Sequence, residues 1–523
     1  MRKLAAIVAV ALCGISSLPA QMSKQEQDEY VKYGQLLYYI SNSYVDSADM
    51  HKLVEKAIVA TLQNLDPHST YLSADEVEMS NEPLQGSFMG IGVEFNILSD
   101  TLIVVSPIAG GPSEMVGIKA GDRIVAVDGQ NIAGVGIKNN DVYKHLRGQK
   151  GSVVHLDVMR NGVAGTLQFK VTRDKIPLHS LDAAYEVSPG LVYLRLSRFS
   201  MTSVQEIEAA MATFKRQPDN LILDLRSNSG GVLQTAVDLA NQFFDKGHVL
   251  VYNEGRQRPK TIDVSDGKGF FKTGGLAVLI DEGSASASEI VAGAIQDWDR
   301  GVIIGRRSFG KGMVQQLMPF RDGAQLRLTV SRYHTPTGRV IQRPYNADKV
   351  ENYYAEIYKR YSNGEVYDKD SIRFPDSLKY YTLKEHRLVY GGGGIMPDIF
   401  MPLDTAYHSA YFSKMVRMGI LYQFALSYMD TRRAAWQQQY RTFAAFDKQF
   451  HVDDALLDAL ADYAEQRQLP RNDADLAVSD VEIRMLLKAY IARILWDTGR
   501  FYEVVNQSDK AFQKAVEVLL IKK

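Results

Sequence analysis

The spacing of apolar residues divides the chain into regions of different character. Helical spacing marks the stretch near the N-terminus, short strand-like runs follow, strands and helices then alternate, and helical spacing returns after residue 403. Aromatic residues in that last region recur at helical spacing, which indicates a packed helical core. The predicted helices of the two ends are 26–43, 50–65, 407–429, 432–450, 455–466 and 479–496.

Between residues 191 and 305, apolar runs of strand length alternate with amphipathic segments of helix length. This alternation predicts βαβ crossovers and a mainly parallel sheet, whose active loops lie at the carboxyl ends of the strands. The predicted strands are 191–199, 221–225, 249–252, 276–280 and 301–305, and the predicted helices are 202–215, 232–244 and 289–298.

One loop of this region, residues 281–289, brings small hydroxyl residues to the start of a helix. Backbone N–H groups at a helix N-terminus have no intrahelical partner, and the helix dipole favours a developing negative charge there. A serine nucleophile would therefore be well placed. Serines before helices are more often simple caps, and this loop alone favours capping for Ser284, Ser286 and Ser288.

A second loop, residues 224–231, also stands at a strand end, and Gly230 and Gly231 lie where the next helix starts. Glycines at such a position let backbone N–H groups approach a substrate oxygen, although a tight turn alone explains them equally well.

A serine nucleophile needs a base, which is either histidine or a lysine with a lowered pKa. The histidines are scattered. His334 at a strand end is a candidate, whereas His68 lacks nearby partners for a metal site. Lys311 lies between glycines and close to apolar residues that would desolvate its amine, and the spacing of a phosphate-binding loop is absent.

Composition adds information on compartment and partners. The 60 basic and 61 acidic residues nearly balance, so nothing indicates a nucleic-acid partner. Arg2, Lys3 and a short apolar run predict a signal peptide over residues 1–20, and hence a periplasmic protein. The single cysteine, Cys13, lies in this segment, so the mature chain would contain no thiol. A lipid anchor on Cys13 is the alternative.

Residues 89–93 (Met-Gly-Ile-Gly-Val) and 120–129 (Ala-Gly-Asp-Arg-Ile-Val-Ala-Val-Asp-Gly) resemble the carboxylate-binding loop and the following turn and strand of a PDZ domain. The resemblance implies a groove that binds a peptide by strand addition, with the peptide carboxylate at the loop. Gly90, Ile91, Gly92 and Val93 are its candidate peptide-binding residues. Arg147, at the end of the short helix 140–146, is a candidate sensor of bound peptide or an ordinary exposed arginine.

Four motifs in order resemble the carboxyl-terminal processing peptidases, or tail-specific proteases. They are 224–231 (Asp-Leu-Arg-Ser-Asn-Ser-Gly-Gly), 284–297, 309–315 (Phe-Gly-Lys-Gly-Met-Val-Gln) and 394–398 (Gly-Ile-Met-Pro-Asp). The resemblance implies a Ser/Lys hydrolase without metal or organic cofactor. It assigns Ser286 as nucleophile, Lys311 as general base and Gln315 as the group that orients the lysine. Backbone N–H groups of Gly230, Gly231 and Ala287 are the candidate oxyanion hole.

These patterns together predict an α/β fold with a βαβ core similar to crotonase and Clp protease, an inserted PDZ-like domain and helical ends. Protein or peptide substrates with accessible C-termini are the expected partners, and the family resemblance implies that the helical ends can mediate a homodimer. Two alternatives are a non-catalytic peptide-binding scaffold and a CoA-ester enzyme of the crotonase type. The predicted divisions are a signal peptide at 1–20, a helical region at 21–83, the PDZ-like domain at 84–173, the core at 174–403 with a lid at 253–275 and an insertion at 345–382, and a helical domain at 404–523.

Overall fold

The computed structural model describes residues 22–108, 110–345 and 350–521. The expected signal peptide and Cys13 lie outside the described residues. Within these ranges, no helix combines the length and the apolar character needed to cross a membrane. The described chain is a mixed α/β structure with helical regions at both ends, as the sequence predicts.

The two predicted N-terminal helices are present. Ser23 and Glu26 cap the first by reciprocal hydrogen bonds, and Asp49 caps the second. The first helix has no buried residue, so little of this chain packs against it. The elements of this region are α1 (Lys24–Ser43), α2 (Met50–Gln63), β1 (Thr70–Leu72) and α3 (Ala74–Gln85).

The PDZ-like domain is a compact sheet of antiparallel strands closed by a short helix, with Leu102, Ile124 and Val154 fully buried in its core. Residues 174–177, at the predicted start of the core, form a strand that pairs with residues 87–90. This pair forms a neck between the domain and the core. The elements are β2 (Ser87–Gly90), β3 (Val93–Leu98), β4 (Thr101–Pro107), α4 (Pro112–Met115), β5 (Arg123–Val127), β6 (Gln130–Asn131), α5 (Asn139–Leu146), β7 (Val153–Met159), β8 (Leu167–Thr172) and β9 (Asp174–Pro177).

The core follows the predicted alternation of strands and helices, although several elements are shorter than predicted. The first helix, for example, ends at Met211 rather than at 215. The core contains β10 (Leu181–Ser188), β11 (Leu191–Leu196), α6 (Ser203–Met211), β12 (Asn220–Asp224), α7 (Leu233–Asn241), β13 (Val249–Gly255), β14 (Arg258–Val264), β15 (Gly275–Ile280), α8 (Ala287–Asp297), β16 (Val302–Gly305), β17 (Met313–Pro319) and β18 (Gln325–His334).

The first half of the lid predicted over residues 253–275 has regular structure. Those residues continue β13 and form β14, and the two strands pair as a hairpin. The hairpin belongs to a second sheet of order β1-β18-β13-β14, with β17 paired to β18. The polar character of β14 arises because its residues are mostly exposed, not because they lack regular structure.

The insertion is ordered around a helix and a small hairpin. Gly392 and Gly394 donate backbone hydrogen bonds to the carbonyls of Val340 and Ile341, so the segments on either side of the insertion lie next to each other. The short 3-10 helices Lys369–Ser371 and Asp376–Leu378 connect its parts. The regular elements are α9 (Val350–Ser362), β19 (Lys379–Tyr381), β20 (Leu388–Tyr390) and β21 (Ile399–Phe400).

The central sheet has the order β10-β11-β12-β15-β16-β21, and all its neighbours are parallel except β10 with β11. Every residue of α8 is buried against this sheet and its surroundings. The carboxyl ends of β12 and β15 therefore bring the two candidate loops together at one edge, as expected for parallel strands.

The C-terminal region is helical and has its own aromatic core, in which Phe446 and Leu460 are fully buried. The predicted helix 407–429 is divided at Gly419, whose φ of 67° is left-handed. The last two helices, which were not predicted, pack against the central sheet, Thr498–Val505 through Tyr502 and Lys510–Ile521 through Phe512 and Leu519. The helices are α10 (Ala410–Arg417), α11 (Ile420–Met429), α12 (Arg433–Gln439), α13 (Phe443–Gln449), α14 (Asp454–Glu465), α15 (Asp473–Val478), α16 (Asp480–Leu495), α17 (Thr498–Val505) and α18 (Lys510–Ile521).

Candidate active site

Ser286 lies at the turn between β15 and α8, in a backbone conformation that is rare for a residue with a side chain. Its φ is 54° and its ψ is −110°. Such a conformation persists only where neighbours hold it. Here the Ser286 N–H donates to Glu289 at 2.8 Å, and the Tyr333 hydroxyl donates to the Ser286 carbonyl at 3.0 Å. The backbone of Ser286 is thus fixed while its side chain stays partly exposed.

The other two serines of this loop have structural roles. The Ser284 hydroxyl donates to the Leu225 carbonyl and the Ser288 hydroxyl to the Asn228 carbonyl, each at 2.8 Å. Both serines are fully buried. Among the described residues, the hydroxyl of Ser286 donates to no acceptor, and its oxygen lies at the helix cap, beside the Glu289 N–H. Ser284 and Ser288 therefore join the two strand-end loops, and Ser286 keeps a free hydroxyl.

Glu289 is the buried centre of the site. One carboxylate oxygen accepts from the backbone N–H groups of Ser286 and Lys311, both at 2.8 Å. The other accepts from the Ser308 hydroxyl at 2.5 Å and from Gly310 N–H at 2.7 Å. Burial raises the pKa of Glu289, while these donors favour the carboxylate and oppose the rise. A single carboxylate thus connects the serine loop to the lysine loop.

Lys311 has a desolvated amine. Burial lowers the pKa of Lys311, and the charge of Arg327 lowers it further, whereas Glu289 and Asp66 oppose the change. The Tyr333 hydroxyl also donates to the Lys311 carbonyl, so one tyrosine contacts the backbones of both candidate catalytic residues. Among the described residues, no hydrogen bond joins Lys311 Nζ to Ser286 Oγ. The structure places the two residues on shared supports without a direct bond between their side chains.

Gln315 does not hydrogen-bond to Lys311 in this structure. Its amide donates to Thr329 Oγ1 at 3.3 Å and to the Met313 carbonyl at 3.5 Å, because Gln315 and Thr329 are register partners in β17 and β18. Thr329 Oγ1 in turn donates to Asp66 at 3.0 Å. The expected orienting role of Gln315 would need its side chain to leave Thr329.

Asp66 and His68 are site neighbours that the sequence did not reveal as such. Asp66 is 6% exposed and accepts from Ser69 N–H, the Ser69 hydroxyl and His68 N–H. Burial and the charge of Lys311 lower the pKa of His68 to about 4. In the sequence, residues 66–69 (Asp-Pro-His-Ser) indicate only that a helix ends before them. Nothing in that pattern indicates that Asp66 and His68 lie beside β18.

The candidate oxyanion-hole donors lie together, but they are not equally available. An added Cβ on Gly230, whose φ is 102°, would approach the Ser286 Cβ to 2.9 Å, so the glycine turn packs directly on the serine. Gly230 N–H already donates to Asn228 Oδ1 at 2.9 Å, which removes it from the free donors. Within the described chain, the N–H groups of Gly231 and Ala287 have no protein acceptor. These two remain as candidate donors.

His334, the alternative base, is occupied elsewhere. Its ring stacks on Tyr252 with centroids 4.6 Å apart, and its Nδ1 lies 3.3 Å from the Gly338 carbonyl. These contacts do not involve Ser286.

The PDZ-like domain contains a groove between β3 and α5 that encloses a cavity of about 290 Å³. Ile91, Gly92, Val93 and Arg147 line it, whereas Gly90 belongs to β2 and pairs with Asp174. The Arg147 guanidinium lies 4.3 Å from the ring centre of Tyr143 and forms a 2.7 Å ion pair with buried Glu82 of α3. Arg147 is therefore not an unpaired surface arginine, since it connects the groove to the N-terminal region.

Comparisons with known proteins agree with this geometry. Peptidase family S41 matches residues 190–350, a PDZ domain matches 89–171, and a family of unknown function, DUF8443, matches 411–497. A carboxy-terminal-processing protease of Bartonella bacilliformis is 36% identical over 61% of this chain and 75% of that protein. The carboxy-terminal processing protease CtpB of Bacillus subtilis (strain 168) is 33% identical over 62% of this chain and 68% of that protein.

Among solved structures, a photosystem II D1 C-terminal processing protease is 26% identical and covers 73% of this chain and 94% of that chain, with a TM-score of 0.35. The fold, the site and the sequence matches define a PDZ-containing serine peptidase of family S41. Within that class, the chain belongs to the carboxy-terminal processing proteases and is a serine-type endopeptidase. This membership favours peptide hydrolysis over the scaffold and the CoA-ester alternatives.

Proposed function

We propose that this peptidase is exported, binds the C-terminus of a flexible protein in the PDZ-like groove, and cleaves peptide bonds with Ser286 as nucleophile and Lys311 as general base. The observation that supports the pair most directly is the shared Glu289 oxygen, which accepts from the N–H groups of both residues at 2.8 Å. A common acceptor keeps the two backbones at a constant separation.

The first half of the reaction transfers the acyl group to the serine. Ser286 Oγ forms a bond to the peptide carbonyl carbon while its proton moves to the neutral amine of Lys311. The C–N bond then breaks, and the Lys311 ammonium returns the proton to the leaving amine. Lysine serves here because burial lowers its pKa, so that more of the amine is neutral near physiological pH.

The tetrahedral intermediate carries a negative oxygen. The N–H groups of Gly231 and Ala287 are assigned to it, and the N-terminus of α8 adds the favourable end of its dipole. Both donors lack a protein acceptor in the described chain, so they need not break an existing bond.

The second half releases the acid. A water molecule gives a proton to Lys311 and attacks the ester carbonyl, and the ester bond breaks as Ser286 Oγ recovers a proton from the ammonium. Gln315 takes part as an orienting group only after its side chain turns from Thr329 to Lys311. No metal or organic cofactor has a role in these steps.

Substrate recognition is assigned to the groove between β3 and α5. The peptide adds as a strand to β3, and its carboxylate lies at the backbone of residues 91–93. Apolar groups of the groove, including Ile91 and Leu146, accept the last side chain. Arg147 reports occupancy through its contacts to Tyr143 and Glu82.

The test compares Ser286→Ala, Lys311→Ala and wild type on an unstructured peptide with an apolar C-terminus. We expect each variant to lose roughly 10⁴-fold or more in kcat, as loss of a nucleophile or its base does in other serine peptidases. Ser284→Ala and Ser288→Ala are matched controls, which should lose stability but keep the chemistry. Equal cleavage by Ser286→Ala and wild type contradicts the assignment.

Export and self-association complete the proposal. The basic and apolar residues of segment 1–20 support secretion to the periplasm, and a mature N-terminus at Gln21 in a periplasmic fraction would test it. A homodimer through the helical ends is supported by α1, which buries none of its residues and exposes Tyr30 and Tyr39 to 68% and 59%. Light scattering of wild type and Tyr39→Glu tests this. We expect the variant to dissociate into monomers as the protein concentration is lowered.

A further inference from the structure

The insertion at residues 345–382 contacts the loop that carries Lys311. Arg360, near the end of α9, is 1% exposed, and its guanidinium forks across consecutive backbone carbonyls of that loop. One terminal nitrogen donates to Arg307 O at 3.3 Å and to Ser308 O at 2.8 Å, and the other donates to Phe309 O at 3.2 Å. Among the described residues, these carbonyls have no other donor.

Glu289 and Arg360 bind the same loop through opposite groups. Glu289 accepts from the Ser308 hydroxyl and from the N–H groups of Gly310 and Lys311. Arg360 donates to the carbonyls that directly precede them. The lysine loop is therefore held from α8 through its donors and from α9 through its acceptors. A short loop with both sets of polar groups satisfied has few other conformations open to it.

Arg360 is itself fixed by a buried ionic cluster. Its Nε donates to both carboxylate oxygens of Glu356, at 3.0 and 3.2 Å. Arg343 also binds Glu356, and Arg307 binds both Glu356 and Glu365. Buried guanidinium groups are costly unless they are paired, and this cluster pairs each of them with carboxylates of the insertion. The insertion therefore supplies the carboxylates that pair with Arg307 and Arg343 of the core.

Tyr353 on the same helix extends the contact to the opposite side of Lys311. Its hydroxyl lies 3.0 Å from His68 Nε2 and accepts from Gln342 at 3.1 Å. Gln342 in turn accepts from Gly312 N–H at 2.8 Å. One face of α9 therefore contacts the chain before Lys311 directly and reaches Gly312, after Lys311, through Gln342.

We propose that Arg360 is a positioning residue for Lys311 and that the insertion completes the catalytic centre by fixing the loop of the general base. The inference rests on the proposed role of Lys311. Arg360 touches no reacting atom, and it acts by holding the loop at residues 307–309 so that the lysine amine stays desolvated and directed to Ser286.

The consequence for pH dependence follows from the groups that face the lysine. Glu289 faces it from α8, Arg327 from β18, and Asp66 and His68 from the turn before β1. With these unchanged, release of the loop in Arg360→Gln admits water to the amine. Its pKa then moves upward from its lowered value toward that of an ordinary lysine, and less of the base is neutral at neutral pH.

The experiment measures kcat and KM against pH for the full chain on a peptide that ends in apolar residues. For Arg360→Gln we expect kcat at neutral pH to fall roughly 10- to 100-fold, a partial loss of the roughly 10²- to 10⁴-fold contribution of general-base catalysis, with KM little changed. The acidic limb of the kcat profile should move to higher pH, so that part of the loss is recovered in alkali. A merely destabilised enzyme would lose active sites without moving that limb.

Two variants separate the causes. Lys359→Gln changes an exposed residue of the same helix and should behave as wild type. Arg360→Lys keeps the charge but cannot span the carbonyls, so we expect it to recover only part of kcat. Full recovery by lysine, or an unmoved acidic limb in Arg360→Gln, overturns the proposal. If Lys311→Ala keeps its activity, the proposed base itself is wrong, whatever Arg360 does.

Discussion

The lysine loop and the peptide groove are built in opposite ways. Around the loop, the groups that hold the chain are Glu289 at 0% and Arg360 at 1% exposure, and their partners are mainly backbone atoms. Around the groove, Arg493 of α16 and Glu94 of β3 form an ion pair that water reaches, at 32% and 40% exposure, and among the described residues there only the pair of Arg147 with Glu82 has a buried carboxylate. Buried hydrogen bonds have no water to replace them, whereas exposed ion pairs do.

This difference matches the two tasks. Peptide hydrolysis needs a fixed arrangement of nucleophile and base, because small displacements lower the rate strongly. Binding of varied C-termini needs a strand edge and a groove whose surroundings adjust. We therefore expect substitutions around the lysine loop to have large effects on rate and stability, and substitutions around the groove to have small effects on affinity.

The largest effect is expected for Glu289→Gln. Glutamine has nearly the shape of glutamate, but its NH₂ group replaces one carboxylate oxygen. That oxygen now accepts hydrogen bonds from two donors. The buried donors left without an acceptor should lower the free energy of unfolding by about 2–4 kcal/mol, and kcat should fall at least roughly 100-fold. Urea unfolding and peptide hydrolysis measure the two effects.

Ser308→Ala is the matched control for that variant. It removes only one donor to the same carboxylate and should give a smaller loss of both quantities. If Glu289→Gln has the kcat of wild type, the expectation that substitutions around the lysine loop affect the rate more than substitutions around the groove is wrong.

The second effect is the pH dependence of stability through His68. Its pKa is about 4 in the folded chain against an ordinary 6.5, so the unfolded chain binds the proton first as pH falls. The folded state then loses stability between pH 6.5 and 4, by up to about 3 kcal/mol. Urea unfolding of wild type and His68→Phe across this range measures it, and the variant should show the flatter curve.

His155 on the PDZ-like domain provides the comparison. Its side chain is 67% exposed, and His155→Gln should leave the curve of wild type unchanged. A curve for His68→Phe that falls as steeply as that of wild type would mean that other groups cause the loss.

The parts of this site that were predictable are those encoded by neighbours in sequence. An apolar strand followed by small residues and a helix placed Ser286 at a helix start, and parallel strands placed the glycine turn at 230–231 beside it. The helical ends followed from apolar spacing in the same way. In each case the local pattern and the final fold agree.

The unpredicted parts depend on contacts between distant segments. Asp66 reaches Thr329 across 263 positions, and Arg360 reaches Ser308 across 52. No local pattern distinguishes a buried arginine that binds carbonyls from an exposed one on a polar helix. The sequence predicts Gly230 as a free donor, because the hydrogen bond from its N–H to the Asn228 side chain depends on a turn conformation that the local pattern does not reveal. The family resemblance assigns Gln315 to Lys311, whereas the strand register places Gln315 opposite Thr329.

A third, smaller effect is expected at the groove for Arg147→Ala. The substitution removes a contact over Tyr143 and one side of the ion pair with Glu82. A guanidinium over an aromatic ring contributes about 1 kcal/mol, so KM for the peptide should rise roughly 5-fold while kcat changes little. The substitution should also lower the free energy of unfolding, because it leaves the Glu82 carboxylate, 6% exposed, without its partner. Lys144→Ala, an exposed neighbour on α5, is the control.

If Arg147→Ala instead lowers kcat by a factor comparable to that of Glu289→Gln, then the groove controls the catalytic centre rather than only binding the peptide. The double variant with Glu82→Gln decides whether the ion pair carries that control, since coupled residues give non-additive losses.

The smallest effect is expected for the contact between the PDZ-like domain and the C-terminal helices. Arg493 and Glu94 lie 2.6 Å apart, but both are about one-third exposed or more, and water and salt can replace each partner. A double-variant cycle of Arg493→Gln and Glu94→Gln should therefore give a coupling energy below about 1 kcal/mol in urea unfolding, decreasing further at high salt. Since Glu94 also lines the groove, peptide affinity should change by no more than roughly 3-fold in either single variant. A coupling above about 2 kcal/mol that persists at high salt would show that the groove is held as firmly as the lysine loop, because only desolvated pairs resist salt in this way.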